Sequence, residues 1–420
     1  MMMCITFAWF IHKGHYNRSK PFWDELGEVL KVLTFLSLLN AGFAFSGKLP
    51  LSRLWLFSTW VLAFIFIPLV RFIIHYFLTK NRIWQTHYVL LGGGKNAVEA
   101  SRAIASEPIM GYQLSAIILP EDTIVDSQFA NTLPQIPLGP DLLATLVELG
   151  KPYLVIALEP EQYHTLNDLL QSLSLSYPKF TIAPPLRGLT LLGLETIHFF
   201  NHEVLMLRSR DNLSKLGPRL MKRSFDMVSA SLLLAILAPF LVLIAWLIRH
   251  QDKGPVIFSH KRIGKNGKEF GCLKFRTMII DADKHLADYF LLHPEAKEEY
   301  EQTFKLKNDP RVTPIGRFLR RSSLDELPQI VNVLKGEMSL VGPRPVTQFE
   351  LQEHYGKIAD VYKRVLPGIT GLWQTSGRSD TTYDQRLYFD SWYVKNWSLW
   401  YDIVILLRTI KVVFGKDGAY

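Results

Sequence analysis

The sequence predicts a membrane-associated α/β protein. Its parts are an N-terminal transmembrane helical hairpin, a Rossmann-like α/β domain, and a re-entrant membrane helix joined to a mainly helical domain with amphipathic surface helices. Three observations predict this. Apolar residues make up 48% of the 420 residues, yet they gather in a few long runs among ordinary polar stretches. A glycine-rich turn follows a short apolar strand, with further strands at α/β spacing. The 21 residues 228–248 carry no charge, but have a proline near the middle and cations at both ends.

The hairpin rests on the runs 29–45 and 54–78, each near the roughly 20 residues that a span needs. Lys13, Arg18, Lys20 and Lys31 precede the pair, and Lys80 and Arg82 follow it. The loop between holds only Lys48 and Arg53, so the positive-inside rule puts both ends in the cytoplasm. The alternative is a pair of buried core helices. Residues 1–11 are apolar but too short to span, and lack the charge that opens a signal peptide. The expected divisions are 1–82 for the N-terminal membrane helices, 83–215 for the α/β domain and 216–420 for the rest.

Strands are expected at 87–91, 114–119 and 153–158. Between the first two, Gly92-Gly93-Gly94-Lys95-Asn96-Ala97 fits the GxGxxA turn that brings backbone close to a pyrophosphate. Such a turn alone is weak evidence for a dinucleotide; the alternative is a purely structural turn. The domain is open to three roles: binding a regulator, bridging a homodimer, or neither.

A net charge of +9 suits nucleic acid, anionic lipid or anionic substrates. No nucleic-acid motif accompanies it, and the Lys and Arg flank apolar runs or sit among Gly and Pro, so nucleic acid is set aside. Cys4 and Cys272 form no disulfide framework. His198 and His202 have i, i+4 spacing but no third ligand nearby, so they read as ordinary polar residues.

Lys222 and Arg223 precede the run 226–248, and Arg249 and Lys253 follow it. A through-span would put one cluster outside. A helix bent at Pro239 that returns keeps both on the cytoplasmic face. The alternative is a kinked transmembrane helix. Residues 397–414 mix aromatic, aliphatic and charged residues as an amphipathic helix does, suited to a membrane surface or to a core.

The chemistry-bearing segment is Arg320-Arg321-Ser322-Ser323-Leu324-Asp325-Glu326-Leu327-Pro328-Gln329. Ser323 and Glu326 stand at capping-box spacing, so a helix is expected to start there. The two acids then merely complement a helix N-terminus, or do chemistry. Their surroundings favour chemistry. Lys305, Lys307, Arg311 and Arg317 lie upstream, and Gly342-Pro343-Arg344-Pro345 downstream holds an arginine on a stiff loop. Rigid guanidinium forks suit phosphate oxygens. On a helix, adjacent side chains point about 100° apart. One carboxylate can then attack phosphorus while the other holds Mg²⁺, with the helix end and nearby arginines keeping the attacker ionised.

At this point the chain resembles the monotopic phosphoglycosyl transferases, also called the bacterial sugar transferase family, and their large subfamily in particular. The carrying residues are Lys222-Arg223-Ser224-Phe225-Asp226, Arg262-Ile263-Gly264, Lys274-Phe275-Arg276-Thr277-Met278 and Leu324-Asp325-Glu326-Leu327-Pro328-Gln329. Met338 through Pro345, Pro367 through Gln374, and Gly377-Arg378 complete the set. The hairpin and α/β part extend the resemblance to nearly the whole chain. It implies transfer of galactose 1-phosphate, or a related sugar phosphate, from a UDP-sugar to undecaprenyl phosphate. Asp325 would attack and release UMP, and Glu326 would bind Mg²⁺. Lys222, Arg223, Arg262, Lys274, Arg276, Arg311, Arg317, Arg344 and Arg378 would contact substrate and phosphate. The enzyme would sit in the bacterial inner membrane with its catalytic domain on the cytoplasmic face, starting an O-antigen, lipopolysaccharide, exopolysaccharide or capsule repeat unit. Two features depart from the family pattern. The usual Ser-Pro break of the re-entrant helix is Ala238-Pro239 here, so a hydroxyl that could bond the freed carbonyl is missing. The usual four N-terminal spans are two, which implies a chain truncated at its start.

Two other functions compete. A nucleotide-sugar dehydratase or oxidoreductase needs a Tyr-x-x-x-Lys pair after the glycine turn, whereas Tyr16–Lys20 and Tyr76–Lys80 lie before it. A non-catalytic membrane scaffold for polysaccharide assembly would leave Asp325 dispensable.

Overall fold

Uninterrupted apolar runs and few breakers give the N-terminal segment three helices: α1 (Met2–His12), α2 (Phe22–Ser46) and α3 (Arg53–Lys80). The computed structural model describes residues 2–15, 20–47, 52–121, 123–129, 133–186, 194–198, 205–208, 212–303, 306, 309–376 and 382–414. Helices α2 and α3 are long and apolar enough to cross a membrane. Arg71 looks out of place in an apolar helix, but its Nε donates to Glu25 Oε1 of α2 at 3.0 Å. An ion pair between two spans removes the cost of either charge alone. Tyr76 and Lys80 are ordinary neighbours on α3, the ammonium 5.8 Å from the ring; Tyr16 lies outside the described residues.

The chain divides into two units at Gly188. After the hairpin, the first unit alternates β1 (Thr86–Leu91), α4 (Lys95–Ala105), β2 (Tyr112–Leu119), β3 (Gln135–Pro137), α5 (Leu142–Glu148), β4 (Tyr153–Ile156), α6 (Pro160–Thr165), α7 (Asn167–Ser176) and β5 (Phe180–Ile182). The sheet is parallel, in the order β3-β2-β1-β4-β5, the doubly wound arrangement expected from the strand rhythm. Its three central strands are buried, with Leu90, Leu91, Ile117 and Ile156 fully enclosed, while the edge strands β3 and β5 are more open. The glycine turn serves the fold. Asn96 N, at the start of α4, donates to Glu159 Oε1 at 2.7 Å, and a Cβ on Gly94 would come within 2.6 Å of the same oxygen. The chain's own carboxylate thus takes the helix N-terminus where a pyrophosphate would lie.

The second unit contains the strand pair β6 (Glu195–His198) and β7 (Leu205–Arg208), then α8 (Leu216–Asp252) and the antiparallel hairpin β8 (Ile257–Ile263) and β9 (Glu269–Phe275). Helices α9 (Ala282–Leu292), α10 (Pro294–Thr303), α11 (Pro314–Arg321) and α12 (Gln329–Lys335) follow. Then come β10 (Ser339–Val341), α13 (Gln348–Glu353), α14 (Ala359–Tyr362), β11 (Gly368–Thr370, parallel to β10), α15 (Tyr383–Lys395) and α16 (Leu399–Phe414). His198 lies on β6, and His202 is outside the described residues.

Helix α8 runs through Pro239 as one helix of 37 residues, about 55 Å long. It packs on the second unit along its whole apolar run. Ala230, with Leu234 and Leu237 beside it, joins the core of Ile330, Val333, Met338 and Trp397. Ile244 and Ile248 join a second core with Phe275 and Leu319. The opposite face leaves Val228, Leu232, Ile236, Leu243 and Trp246 exposed. A continuous exposed apolar face of this kind marks an interaction surface, with lipid or with protein. Helix α16 packs as a core helix through Val404 and Ile405, whereas Leu407 and Ile410 are exposed.

The first turns of α8 are tied to the core by charge. Lys222 Nζ donates to Asp402 Oδ2 at 2.8 Å and to Val341 O at 3.1 Å. Asp402 is fully buried and also accepts from Tyr393 Oη at 2.8 Å and Trp397 Nε1 at 3.0 Å. Asp226 accepts from Ser339 Oγ at 2.8 Å and Leu340 N at 3.2 Å. Arg223 donates to Val333 O at 2.7 Å and Leu334 O at 3.1 Å, covering carbonyls at the end of α12. The structure therefore commits Lys222 and Arg223, both expected to contact substrate, to joining α8 to the core. Removing one partner of a buried pair strands the other charge, so Lys222→Met is expected to cost about 3–5 kcal/mol. Thermal unfolding in detergent measures this; an unchanged melting temperature contradicts it.

Candidate active site

The β8–β9 hairpin, a turn before α12 and the β10–β11 loops build one cleft. It is lined by Arg262, Cys272, Lys274, Glu326, Gln329, Arg344, Pro345, Ile369 and Gln374. Strand alternation puts Cys272 and Lys274 on the same face of β9. Burial pushes the Cys272 thiol up to about 11, so it lines the cleft as an inert apolar group.

The carboxylate pair is presented differently from the sequence expectation. Leu324–Glu326 is a single 3₁₀ turn, not the start of an α-helix. Ser323 has left-handed backbone angles, φ 56° and ψ 19°, and makes no side-chain cap. Helix α12 begins only at Gln329, with Pro328 as its N-cap. Pro328 has no amide proton for a preceding helix to use, so the chain tightens before it. In a 3₁₀ turn adjacent side chains diverge by about 120°, so the two carboxylates still face different ways.

Glu326 Oε1 accepts from Lys274 Nζ at 2.6 Å. Asp325 is half-buried, and its carboxyl is pushed above the usual aspartate range. Burial is the largest cause; Lys274 opposes it, Glu326 adds to it, and Arg320 opposes it. Of the expected influences, nearby cations do favour the ionised carboxylate, through Lys274 and Arg320. Burial outweighs both nearby cations, and the expected helix end is absent.

The arginine between prolines sits where stiffness was expected, and two glycines explain how. Gly342 N donates to Thr370 O at 2.9 Å, and Gly368 N to Pro343 O at 2.8 Å. A Cβ on Gly342 would lie 2.5 Å from Leu366 O and 2.8 Å from Gly368 N. The two backbones touch, so the loop bearing Arg344 is clamped to β11. Its guanidinium lies 5.6 Å from the Trp373 ring.

The other predicted cations separate into groups. Arg262, Lys274 and Arg344 line the cleft, with Arg262 Nη1 donating to Glu350 Oε2 at 2.9 Å. Arg276 is ion-paired with Asp252 at the end of α8 and does not line the cleft. Arg311 is 7% exposed and bidentate on Asp309, with its Nε at 2.8 Å and Nη2 at 2.7 Å, which makes it an anchor for the segment before α11. Arg317 is exposed on α11. Arg378 and Gly377, with Lys305 and Lys307, lie outside the described residues.

Sequence reasoning missed Glu350, the partner of Arg262. Thr347-x-x-Glu350 is a formed capping box, a signal visible in the sequence though silent on chemistry. It also left Arg320 out of the site proper. Arg320 Nε donates to Thr277 Oγ1 at 2.9 Å, and its charge acts on Asp325.

No three His, Cys, Asp or Glu side chains gather at one point among the described residues. Mg²⁺ needs no such cluster, because it commonly takes one or two carboxylates plus substrate phosphate oxygens. The hard oxygens of Asp325 and Glu326 beside phosphate-grade cations fit an ion that arrives with a diphosphate.

Comparison with known proteins agrees with this arrangement. The bacterial sugar transferase family profile matches residues 217–416. A UDP-galactose-lipid carrier transferase of Erwinia amylovora is 41% identical over 100% of this chain and 87% of its own length. An undecaprenyl-phosphate galactose phosphotransferase of Salmonella typhimurium is 41% identical over 100% of this chain and 87% of its own length. A UDP-glucose:undecaprenyl-phosphate glucose-1-phosphate transferase of Escherichia coli is 40% identical over 48% of this chain and 42% of its own length. The two full-length matches cover the hairpin, the α/β domain and the cleft together, and the chain belongs to the bacterial sugar transferase family.

Proposed function

We propose that this enzyme moves galactose 1-phosphate, or a related sugar phosphate, from a UDP-sugar to undecaprenyl phosphate, releasing UMP and starting a surface-polysaccharide repeat unit such as O-antigen, exopolysaccharide or capsule. One observation carries the reading: Glu326 lines a cleft with Lys274, Arg262 and Arg344, and its neighbour Asp325 feels the charges of Lys274 and Arg320, on a unit whose longest helix offers an apolar face. The relatives' names add that such chains act on UDP-galactose or on undecaprenyl phosphate with galactose or glucose.

An Asp325 oxygen attacks the β-phosphorus of the donor. The bond from that phosphorus to the bridging oxygen breaks, and UMP leaves with the electron pair. A phosphate oxygen of the carrier lipid then attacks the same phosphorus and frees Asp325. Arg262 and Arg344 bind and orient the diphosphate oxygens. Lys274 holds Glu326 and favours ionised Asp325. Mg²⁺, held by Glu326, would supply charge neutralisation at the diphosphate when bound. Both contacts of α8 with one unit favour a helix that enters and leaves the cytoplasmic face of the inner membrane, with undecaprenyl phosphate reaching the cleft from the lipid side. Galactose rests on the two full-length relatives; the cleft lining itself names no sugar. The seating of Glu159 at the α4 N-terminus disfavours the dinucleotide-dependent alternative.

Two outcomes follow. Asp325→Asn is expected to abolish UMP release from UDP-galactose with undecaprenyl phosphate and Mg²⁺, and to lose any labelled sugar-phosphate adduct. Release at the wild-type rate refutes the transfer reading. The reactive form of Asp325 is ionised and its folded pKa is raised, so activity should climb with pH through a value above the usual aspartate range. Lys274 pulls that value down, so Lys274→Met should move the acid limb of the single-turnover pH–rate profile to higher pH. A limb that stays put, or moves to lower pH, contradicts this assignment.

A further inference from the structure

Behind the cleft lies a buried arginine that no step above uses. Arg386, on α15, is 8% exposed. Its guanidinium lies 5.2 Å from the Trp373 ring and 5.1 Å from the Tyr383 ring. Its Nη1 stands 3.9 Å from Glu350 Oε1, the carboxylate whose other oxygen holds Arg262 at 2.9 Å. Its Nε and Nη2 are enclosed and meet no acceptor among the described residues. Asp390, one turn along α15, accepts from Tyr355 Oη at 2.9 Å.

A buried guanidinium with unmet donors is costly, and a fold keeps one where something repays the cost. Glu350 supplies the reason. It is fixed at the start of α13, where Oε2 accepts from Thr347 N at 2.8 Å and Thr347 Oγ1 at 3.1 Å. One oxygen faces a cleft arginine and the other faces Arg386. When a diphosphate claims Arg262, Glu350 would be left as a half-buried carboxylate short of one partner. Arg386 stands next to it with donors to spare. The rings of Trp373 and Tyr383 hold the guanidinium in place for that exchange.

We propose that Arg386 is a positioning residue of the diphosphate cleft: it acts through Glu350 to let Arg262 turn from carboxylate to phosphate. This rests on the transfer reading above and concerns donor binding rather than the reacting atoms.

The test uses the full chain in its membrane, with initial rates of UMP release over a UDP-galactose series. Arg386→Met is expected to raise KM about tenfold while kcat changes less than about threefold. The same change combined with Glu350→Gln should add no further rise over Glu350→Gln alone, because the carboxylate through which Arg386 acts is gone. Arg386→Lys, which keeps the charge but not the fork, should fall between wild type and Arg386→Met. An unchanged KM in Arg386→Met overturns the proposal, as does an equal rise with and without Glu350→Gln. Should Arg386→Met not accumulate in the membrane, Arg386→Lys alone and combined with Glu350→Gln decides the matter by the same rule. Asp325→Asn run beside them separates the two claims. Its loss of UMP release with indifferent Arg386 variants sinks only the positioning role, whereas release that survives Asp325→Asn sinks the transfer reading.

Discussion

The second unit depends on one buried joint between a membrane helix and a soluble core. Lys222 and Asp226, one turn apart on α8, reach Asp402, Val341, Ser339 and Leu340. Those partners are β10 and the first turns of α16. The residue after Val341 is Gly342, the start of the loop that carries Arg344. A charge pair inside a core stabilises little compared with an apolar replacement, but it fixes a geometry, since breaking it is expensive. Here the fixed geometry ties the start of a helix with an exposed apolar face to the loop that aims a guanidinium into the cleft. A donor diphosphate from water and a phosphate on a lipid tail must meet at one point, and this joint sets where that point lies relative to the apolar face.

Within the cleft, charge and burial pull against each other. Lys274 and Arg320 favour ionised Asp325, while its enclosure and its neighbour Glu326 oppose them. A carboxylate poised this way is more basic than one fully stabilised by cations, and a more basic carboxylate is the better nucleophile. The 3₁₀ turn matters to this balance. An α-helix starting at Ser323 would have given the two acids a helix N-terminus and lowered their pKa. The left-handed Ser323 and the following proline deny them that.

Much of the fold was legible in the sequence because it rests on periodicity and length. The three strands at 87–91, 114–119 and 153–158 pair side by side in the parallel sheet, and both N-terminal runs are single helices. The cleft was legible through Glu326, Arg262, Lys274 and Arg344, with Asp325 the residue before Glu326. What stayed hidden depends on long-range packing. Lys222, Arg223 and Arg276 look like phosphate cations in a string of residues, yet each has a carboxylate or carbonyl partner brought to it by the fold. Ser323 and Glu326 match a capping pattern, but nothing in that pattern reports the left-handed angle at Ser323. The capping box of Glu350 is silent on chemistry, and only the packing of α13 and α15 behind the cleft relates Glu350 and Arg386 to Arg262.

Helix α8 links the chemistry to the lipid. Its two halves bury Ala230 and Ile248 in cores of the same unit, the contact on which the proposed return to one membrane face rests. The direct test places single cysteines at its flanks, Lys215→Cys and Lys253→Cys, in a chain carrying Cys4→Ser, and probes them with a membrane-impermeant maleimide. Both should react in sealed vesicles with the cytoplasmic face outward, and neither in intact spheroplasts. Labelling of the two positions from opposite sides would contradict the return to one face.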